Sequence, residues 1–355
     1  MDKLDLRDLD LQEMQALVGH LGTQPYRARQ LFAWVHRRGA VHWEEMTDLP
    51  RNLREALAEA SYVSSPEAER QLTSSDGQTF KYLLRFSDGK AAETVLMIFS
   101  RRKARNRVTA CISSQIGCAL ACRFCATGAL GFERNLRPAE LVGQVYFWNR
   151  LLRKRNLAVT NVVYMGMGEP LLNYEAVVKS IRLLSHPEGL NLGQRRLTVS
   201  TCGIVPGIRR LAREGLSVRL AVSLHATEDE LRSRLLPINR RYPLTDLLAA
   251  CREYAQFTGR KITFAYLLLA GVNDTLRDAE RLGRLLAGIP SQVNLITYNQ
   301  VEEKEFRSPS PSSIRRFMQR LIDQGVEVSL RERRGKDIEA ACGQLRGRGP
   351  RRAIT

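Results

Sequence analysis

From about residue 108 onward, short apolar runs alternate with longer segments of helical spacing. The runs are RVTACIS, NVVYMG (161–166), RLTVST (196–201), SVRLAVSL (217–224), KITFAYLLL (261–269), QVNLITY (292–298) and EVSLRE (327–332). Strands buried on both faces of a parallel sheet read as nearly continuous apolar stretches, and these do. Between most of them lie helical patterns such as PAELVGQVYFWNRLLRKR, YEAVVKSIRLLS, PGIRRLAREG and RDAERLGRLLAG. This alternation predicts an α/β fold with a parallel sheet. About six βα units make an open, curved sheet or an incomplete barrel, whose active site lies at the C-terminal ends of the strands.

The first hundred residues read differently. DLQEMQALVGHLG and RARQLFAWVHRRG carry apolar residues at helical spacing, with Gly22 and Gly39 as stops. In TDLPRNLREALAEA, Thr47 or Asp48 falls near a helix start, with Pro50 close behind. Residues 1–65 therefore form an N-terminal helical domain, able to pack on the main domain or to hold RNA. QTFKYLLRFSDGKAAETVLMIF places two apolar runs around Ser87-Asp88-Gly89, a β-hairpin signal, within a linker region of residues 66–107. Residues 108–355 form the main domain.

Charge narrows the partners. Lys and Arg number 55 against 37 Asp and Glu, giving a formal net charge of +18. Such an excess attracts polyanions, nucleic acid first among them. It is mostly arginine, which grips phosphate bidentately and stacks on bases. The clusters are dispersed: residues 101–107, 150–155, the pairs 195–196, 209–210 and 240–241, and RGRGPRR at the C-terminus. Arg101, Arg102, Lys103 and Arg105 are candidate nucleic-acid contacts. No apolar run reaches membrane-spanning length. The N-terminal MDKLDLRDLDLQ lacks a signal peptide's apolar stretch, so the expected compartment is the reducing cytoplasm.

In such a compartment, clustered cysteines bind metal or perform chemistry more often than they form structural disulfides. CISSQIGCALACRFC (111–125) holds Cys111, Cys118, Cys122 and Cys125, four of the chain's seven cysteines. Cys118, Cys122 and Cys125 follow the first strand of the α/β unit, with spacing Cys-x-x-x-Cys-x-x-Cys. A structural zinc site calls for four ligands, and no second Cys-x-x-Cys pair follows. Three thiolates on a four-iron cluster leave one iron open to chelate a small molecule.

Together CISSQIGCALACRFCATG, NVVYMGMGEPLLN, TVSTCGIVPGI, LAVSLHA, LLPINRRYP and DIEAACGQLRG resemble the RlmN/Cfr family of radical S-adenosylmethionine (SAM) RNA adenine methyltransferases, over essentially the full length. The resemblance implies a partial (β/α)6 radical SAM barrel, with the helical domain and hairpin as extensions. It implies a [4Fe-4S] cluster on Cys118, Cys122 and Cys125. SAM contacts would come from Gly168, Glu169, Ser200, Ser223, Leu224, His225 and Asn299, although the family often has proline after NLI where this chain reads NLITYNQ. It implies two SAM molecules per turnover, one to methylate Cys342 and the other to yield a 5′-deoxyadenosyl radical that activates that methyl. Carbon 2 of adenine is electrophilic, which closes ordinary polar methylation. Cys111 then attacks the Cys342 sulfur and releases product with formation of a disulfide. Glu93 matches a proton acceptor, although Cys111 could also take the proton, and a carboxylate on a strand is usually a solvated face residue. Cys202 and Cys251 match no family chemistry and read as packing residues. Gly335 and Gly343 flank a hinge loop around Cys342. The implied substrate is an adenosine of 23S ribosomal RNA and of tRNA, methylated at carbon 2. The implied reductant is a flavodoxin or ferredoxin, and the expected state is a monomer without membrane association. Carbon-8 methylation and a non-enzymatic RNA-binding protein with a structural metal centre are the alternatives.

Overall fold

The computed structural model describes residues 3–100, 106–301, 304–332 and 334–345. Arg101, Arg102, Lys103, Arg105 and the C-terminal RGRGPRR lie outside the described residues.

The chain begins with β1 (Leu4–Asp5), α1 (Leu11–His20), α2 (Tyr26–Phe32), α3 (Arg51–Ala60) and β2 (Ser61–Tyr62), with β1 and β2 paired in parallel. Asp10 caps α1 in a reciprocal box with Glu13. The helix begun by α2 continues in a wider turn to Arg38 and stops at Gly39, whose φ of +65° suits a residue without Cβ. Neither Thr47 nor Asp48 caps α3; Pro50 stands at that position without a side-chain cap. The Asp48 carboxylate instead accepts the indole N–H of Trp34.

Three antiparallel strands follow, β3 (Glu67–Thr73), β4 (Thr79–Arg85) and β5 (Ala91–Phe99). The expected hairpin is β4–β5, and β3 adds an outer strand to it. The expected strands of the α/β unit then appear in order. They are β6 (Arg107–Ile112), with the short ribbon β7 (Gln115–Gly117) and β8 (Phe132–Asn135), then α4 (Pro138–Arg153), β9 (Asn161–Tyr164), α5 (Tyr174–Ser185), β10 (Leu197–Thr201), α6 (Val205–Ala212) and β11 (Arg219–Ser223). The remainder is α7 (Asp229–Leu235), α8 (Leu244–Thr258), β12 (Ile262–Leu268), α9 (Leu276–Leu286), β13 (Ser291–Thr297), α10 (Pro311–Asp323) and β14 (Val328–Leu330).

Among the described residues, ten strands form one sheet in the order β14-β13-β12-β11-β10-β9-β6-β5-β4-β3. From β6 to β14 every pairing is parallel, and from β6 to β3 every pairing is antiparallel. Six βα strands thus make the partial barrel, β14 adds a short seventh, and the antiparallel extension continues the same sheet.

One apolar core runs from the N-terminal helices through the barrel. Polar contacts join them too. Asp8 and Asp5 accept hydrogen bonds from the Arg137 guanidinium at the start of α4. Fully buried His36 donates from Nε2 to the Leu9 carbonyl (3.1 Å), which leaves Nδ1 to accept from the Tyr146 hydroxyl (2.8 Å). Burial pushes the His36 pKa down to about 3, so it stays neutral. Tyr146→Phe leaves Nδ1 without a partner in a dry site. We expect a loss of about 1–3 kcal/mol in denaturant unfolding; an unchanged midpoint would mean that this contact does not hold the helices to the barrel.

Candidate active site

The three-cysteine loop connects β7 to β8 at the C-terminal end of β6. Two glycines make it tight. Gly117 has φ +73°, and a Cβ there would lie 2.0 Å from the Gly131 carbonyl oxygen. A Cβ on Gly128 would lie 2.9 Å from the Cys122 nitrogen. Folded this way, the loop turns Cys118, Cys122 and Cys125 onto one wall of a cleft of about 1110 Å³. Burial pushes the Cys118 thiol up to about 12 and raises Cys125 as well, so a positively charged metal centre is what would make them thiolates.

The MGMGEP turn after β9 forms another wall. The close approach of Gly168 is to the chain itself: at φ +97°, a Cβ would lie 2.6 Å from the Gln115 Cβ. Gly166 packs as tightly on Ile112 and Ser113. The turn therefore fits against the loop that follows β6. It directs buried Glu169 into the cleft, where its carboxylate accepts backbone N–H groups of Leu171 (3.1 Å) and Cys202 (2.8 Å). Burial outweighs those bonds and raises the Glu169 pKa to about 7. Ser200 and Ser223, on β10 and β11, line the same space.

His225 follows β11 with a left-handed φ of +59°. Asn273 stabilises that conformation by donating to the His225 carbonyl (2.7 Å). The ring accepts the Leu267 N–H at Nδ1 (3.0 Å), and burial lowers its pKa to about 3. The neutral ring must carry its proton on Nε2, which makes it a donor on the cleft wall. Phe124 packs edge-on against it at 5.0 Å.

A second cavity of about 540 Å³ adjoins the first. Cys111, from β6, and Cys342, from the C-terminal loop, both line it. Cys342 lines the large cleft as well, so this residue borders both spaces. Gly335 and Gly343, on either side of it, have φ of +62° and +85°. Burial pushes the Cys111 thiol up to about 12, and all seven cysteines are free. Glu93 is buried on β5 and pairs with Lys81 at 3.0 Å.

The sequence profile of the Radical SAM superfamily matches residues 112–283, and that of the ribosomal RNA large subunit methyltransferase N-terminal domain matches residues 4–63. A probable dual-specificity RNA methyltransferase RlmN of Moorella thermoacetica is 49% identical over 346 residues, 97% of either chain. This chain belongs to the RlmN family of radical SAM RNA methyltransferases. The dual-specificity RNA methyltransferase RlmN of Anaeromyxobacter dehalogenans is 48% identical over 98% of this chain and 93% of its own length. A crystal structure of a radical SAM methyltransferase from Sphaerobacter thermophilus is 48% identical and superposes with a TM-score of 0.92, covering 97% of this chain and all of the other. The protein is therefore an enzyme that methylates RNA, and its superfamily uses a [4Fe-4S] cluster and SAM. The donor set suits that cluster: three soft thiols from one loop line one wall, facing a cleft lined by a carboxylate, two hydroxyls and a neutral imidazole donor.

Within the family frame, most sites named from sequence converge. Cys118, Cys122, Cys125, Gly168, Glu169, Ser200, Ser223 and His225 share the large cleft. Two do not. Leu224 is fully buried off the cleft, and its carbonyl accepts from Arg232. Asn299 lines the smaller cavity beside Cys111, with its Oδ1 buried and unpartnered. Two residues of the site were missed by the sequence reading, Cys202 and Arg331. Cys202, read as packing, lines the cleft with its sulfur 4.0 Å from that of Cys122. Cys251, also read as packing, is buried in α8. Arg331 lines both cavities, its guanidinium 3.8 Å from the Met165 sulfur; only its position just past β14 could have marked it.

Glu169 gives a pH test. Below about pH 7 the Glu169 carboxyl is protonated, so a ligand that binds the carboxylate form must first release a proton. The affinity for S-adenosylhomocysteine, measured by calorimetry, is expected to fall up to ~10-fold per unit below that value. Glu169→Gln should bind more weakly and show no such slope.

Proposed function

We propose that the protein methylates carbon 2 of an adenosine in 23S ribosomal RNA and in tRNA, with Cys342 as carbon carrier and Cys111 as resolving thiol. The observation that supports this most is the position of Cys342, a residue that borders both the cysteine-lined cleft and the cavity of Cys111. When bound, the cluster and two successive SAM molecules supply a methyl group and the one-electron activation that makes its carbon reactive. Gly168, Glu169, Ser200, Ser223 and His225 hold SAM in the large cleft, with Asn299 nearer Cys342.

The chain's own steps follow from position. The Cys342 sulfur takes the methyl group in the large cleft and carries its carbon to the flipped adenine, forming a covalent protein–RNA link. The adduct loses one electron, which a bound iron–sulfur cluster would take back, and Glu93 or Cys111 takes the proton lost from carbon 2. The Cys111 thiolate then attacks the Cys342 sulfur. An S–S bond forms as the S–CH2 bond breaks, and the released carbon takes up a proton to become the methyl group. Attack requires the two α-carbons to come within about 7 Å. A reductant of the flavodoxin or ferredoxin class supplies the electron, and an external thiol resets the disulfide. The enzyme works as a monomer in the cytoplasm.

Nuclease digests of treated RNA, read by mass spectrometry against 2-methyladenosine and 8-methyladenosine standards, test the position of methylation. Only the first should appear; the second would move the reaction to carbon 8. Cys342→Ala should abolish product, and product from this variant would end the proposal. Cys111→Ala should accumulate the covalent adduct, visible as a band shift removed by ribonuclease.

The thiol pushed up to about 12 sets a second expectation. Thiolate is scarce at neutral pH and rises ~10-fold per unit below the pKa. Decay of the adduct in single-turnover experiments should therefore quicken from pH 7 to pH 9. A flat profile would place a different step in control.

A further inference from the structure

The segment that carries Cys342 is tied down at both ends, and the two anchors belong to different parts of the fold. Its later part is held by the cysteine loop: the Ala126 N–H donates to the Gly343 carbonyl (2.7 Å) and the Thr127 hydroxyl to the Leu345 carbonyl (2.6 Å). Its earlier part is held by the antiparallel extension. The Arg334 guanidinium donates to the Ile98 carbonyl (2.9 Å), and Asp337 accepts the Ser75 N–H (2.7 Å). Gly335, at φ +62°, presses so closely on Thr79 that a Cβ would lie 2.7 Å from its methyl carbon.

At the centre of that anchor lies Lys81, on β4. Its side chain is 6% exposed, and its ammonium bridges the Glu93 carboxylate (3.0 Å) and the Glu339 carbonyl (3.1 Å). Glu339 is three residues before Cys342 and takes a left-handed φ of +50°, a conformation that costs energy for a residue with a Cβ. A buried lysine needs every one of its few partners, because removing one leaves charge uncompensated in a dry site. One charge therefore holds a strained carbonyl of the Cys342 segment and the Glu93 carboxylate in fixed relation.

We propose that Lys81 is a positioning residue for Cys342, and that the antiparallel extension is the platform from which it acts. The inference rests on the reading of Cys342 as carbon carrier, but its test reads the placement of the loop and does not depend on chemistry. Without the ammonium, Glu339 relaxes from its left-handed conformation and the segment between the two anchors loosens. Cys342 then spends less time where it can meet the adenine and Cys111. RNA affinity is untouched because Lys81 is buried.

Hydrogen exchange on the full-length enzyme tests this with Lys81→Met and Lys81→Arg. In Lys81→Met, amides of residues 334–345 should exchange ~10-fold faster, the effect of losing one hydrogen bond to a charged group. Amides of α8, around Cys251, should be unchanged. Lys81→Arg, which keeps the charge and a donor, should restore protection. Turnover of Lys81→Met should show a lowered kcat with KM for RNA unaltered. Should Lys81→Met fail to fold once Glu93 loses this ammonium, the double variant Lys81→Met/Glu93→Gln removes both charges and is read by the same exchange. Unchanged exchange in the loop, or acceleration in α8 to the same degree, overturns the proposal. Activity persisting in Cys342→Ala would instead overturn the carrier role and leave the exchange result standing.

Discussion

The structure depends on the two-sided pairing of β6. On one edge it pairs antiparallel with β5, where Val95 lies opposite Cys111; on the other it pairs parallel with β9, where Cys111 lies opposite Val163. A strand flanked by an antiparallel and a parallel neighbour is where a hairpin extension can join a βα barrel without a break in hydrogen bonding. Because the join is backbone pairing, register fixes which side chains face the same way. Glu93 and Val95 share a face of β5 with the side chain opposite Val95, so the extension's carboxylate and the barrel's first thiol are set by one ladder.

The site walls are rigid for a related reason. Their polar groups face the cleft only because others behind them are satisfied. Fully buried Arg232 donates to the carbonyls of Cys202, Ser223 and Leu224 and to the Asn239 side chain. It thereby ties the strand ends of β10 and β11 together beneath Cys202 and His225. Asn273 does the same for the β11–β12 corner, donating to the His225 and Leu267 carbonyls and accepting the Leu269 N–H. Such networks are costly if incomplete and specific if complete. Here they keep a left-handed histidine and a buried glutamate aimed at one volume.

Much of this was legible in the sequence where local pattern and tertiary role agree. All seven apolar runs from residue 108 became strands: the six inner ones because burial within a parallel sheet writes itself as continuous hydrophobicity, and β14, largely exposed at the margin, through its pairing with β13. The three-cysteine spacing marked its loop because close thiols in one turn have few structural uses. Other features left no local trace. β3 is largely exposed and polar, so its membership in the sheet rests on pairing with β4 rather than on composition. The approach of Cys202 to Cys122 joins residues from separate βα units, which no spacing encodes. Leu224 was misplaced for a simple reason: neighbours on a strand end point in opposite directions, so its side chain enters the core while Ser223 and His225 face the cleft.

Among the described residues, β14 and β3 stand at the two margins of the sheet, and each is paired on one side only. A barrel closed on itself admits what can pass through its rim, which favours small free metabolites. This sheet never closes, so its interior is reachable sideways. A nucleobase can enter such a slot while its sugar and phosphates remain threaded outside, still part of a polymer. Among the described residues, the barrel is thus left open between these two margins.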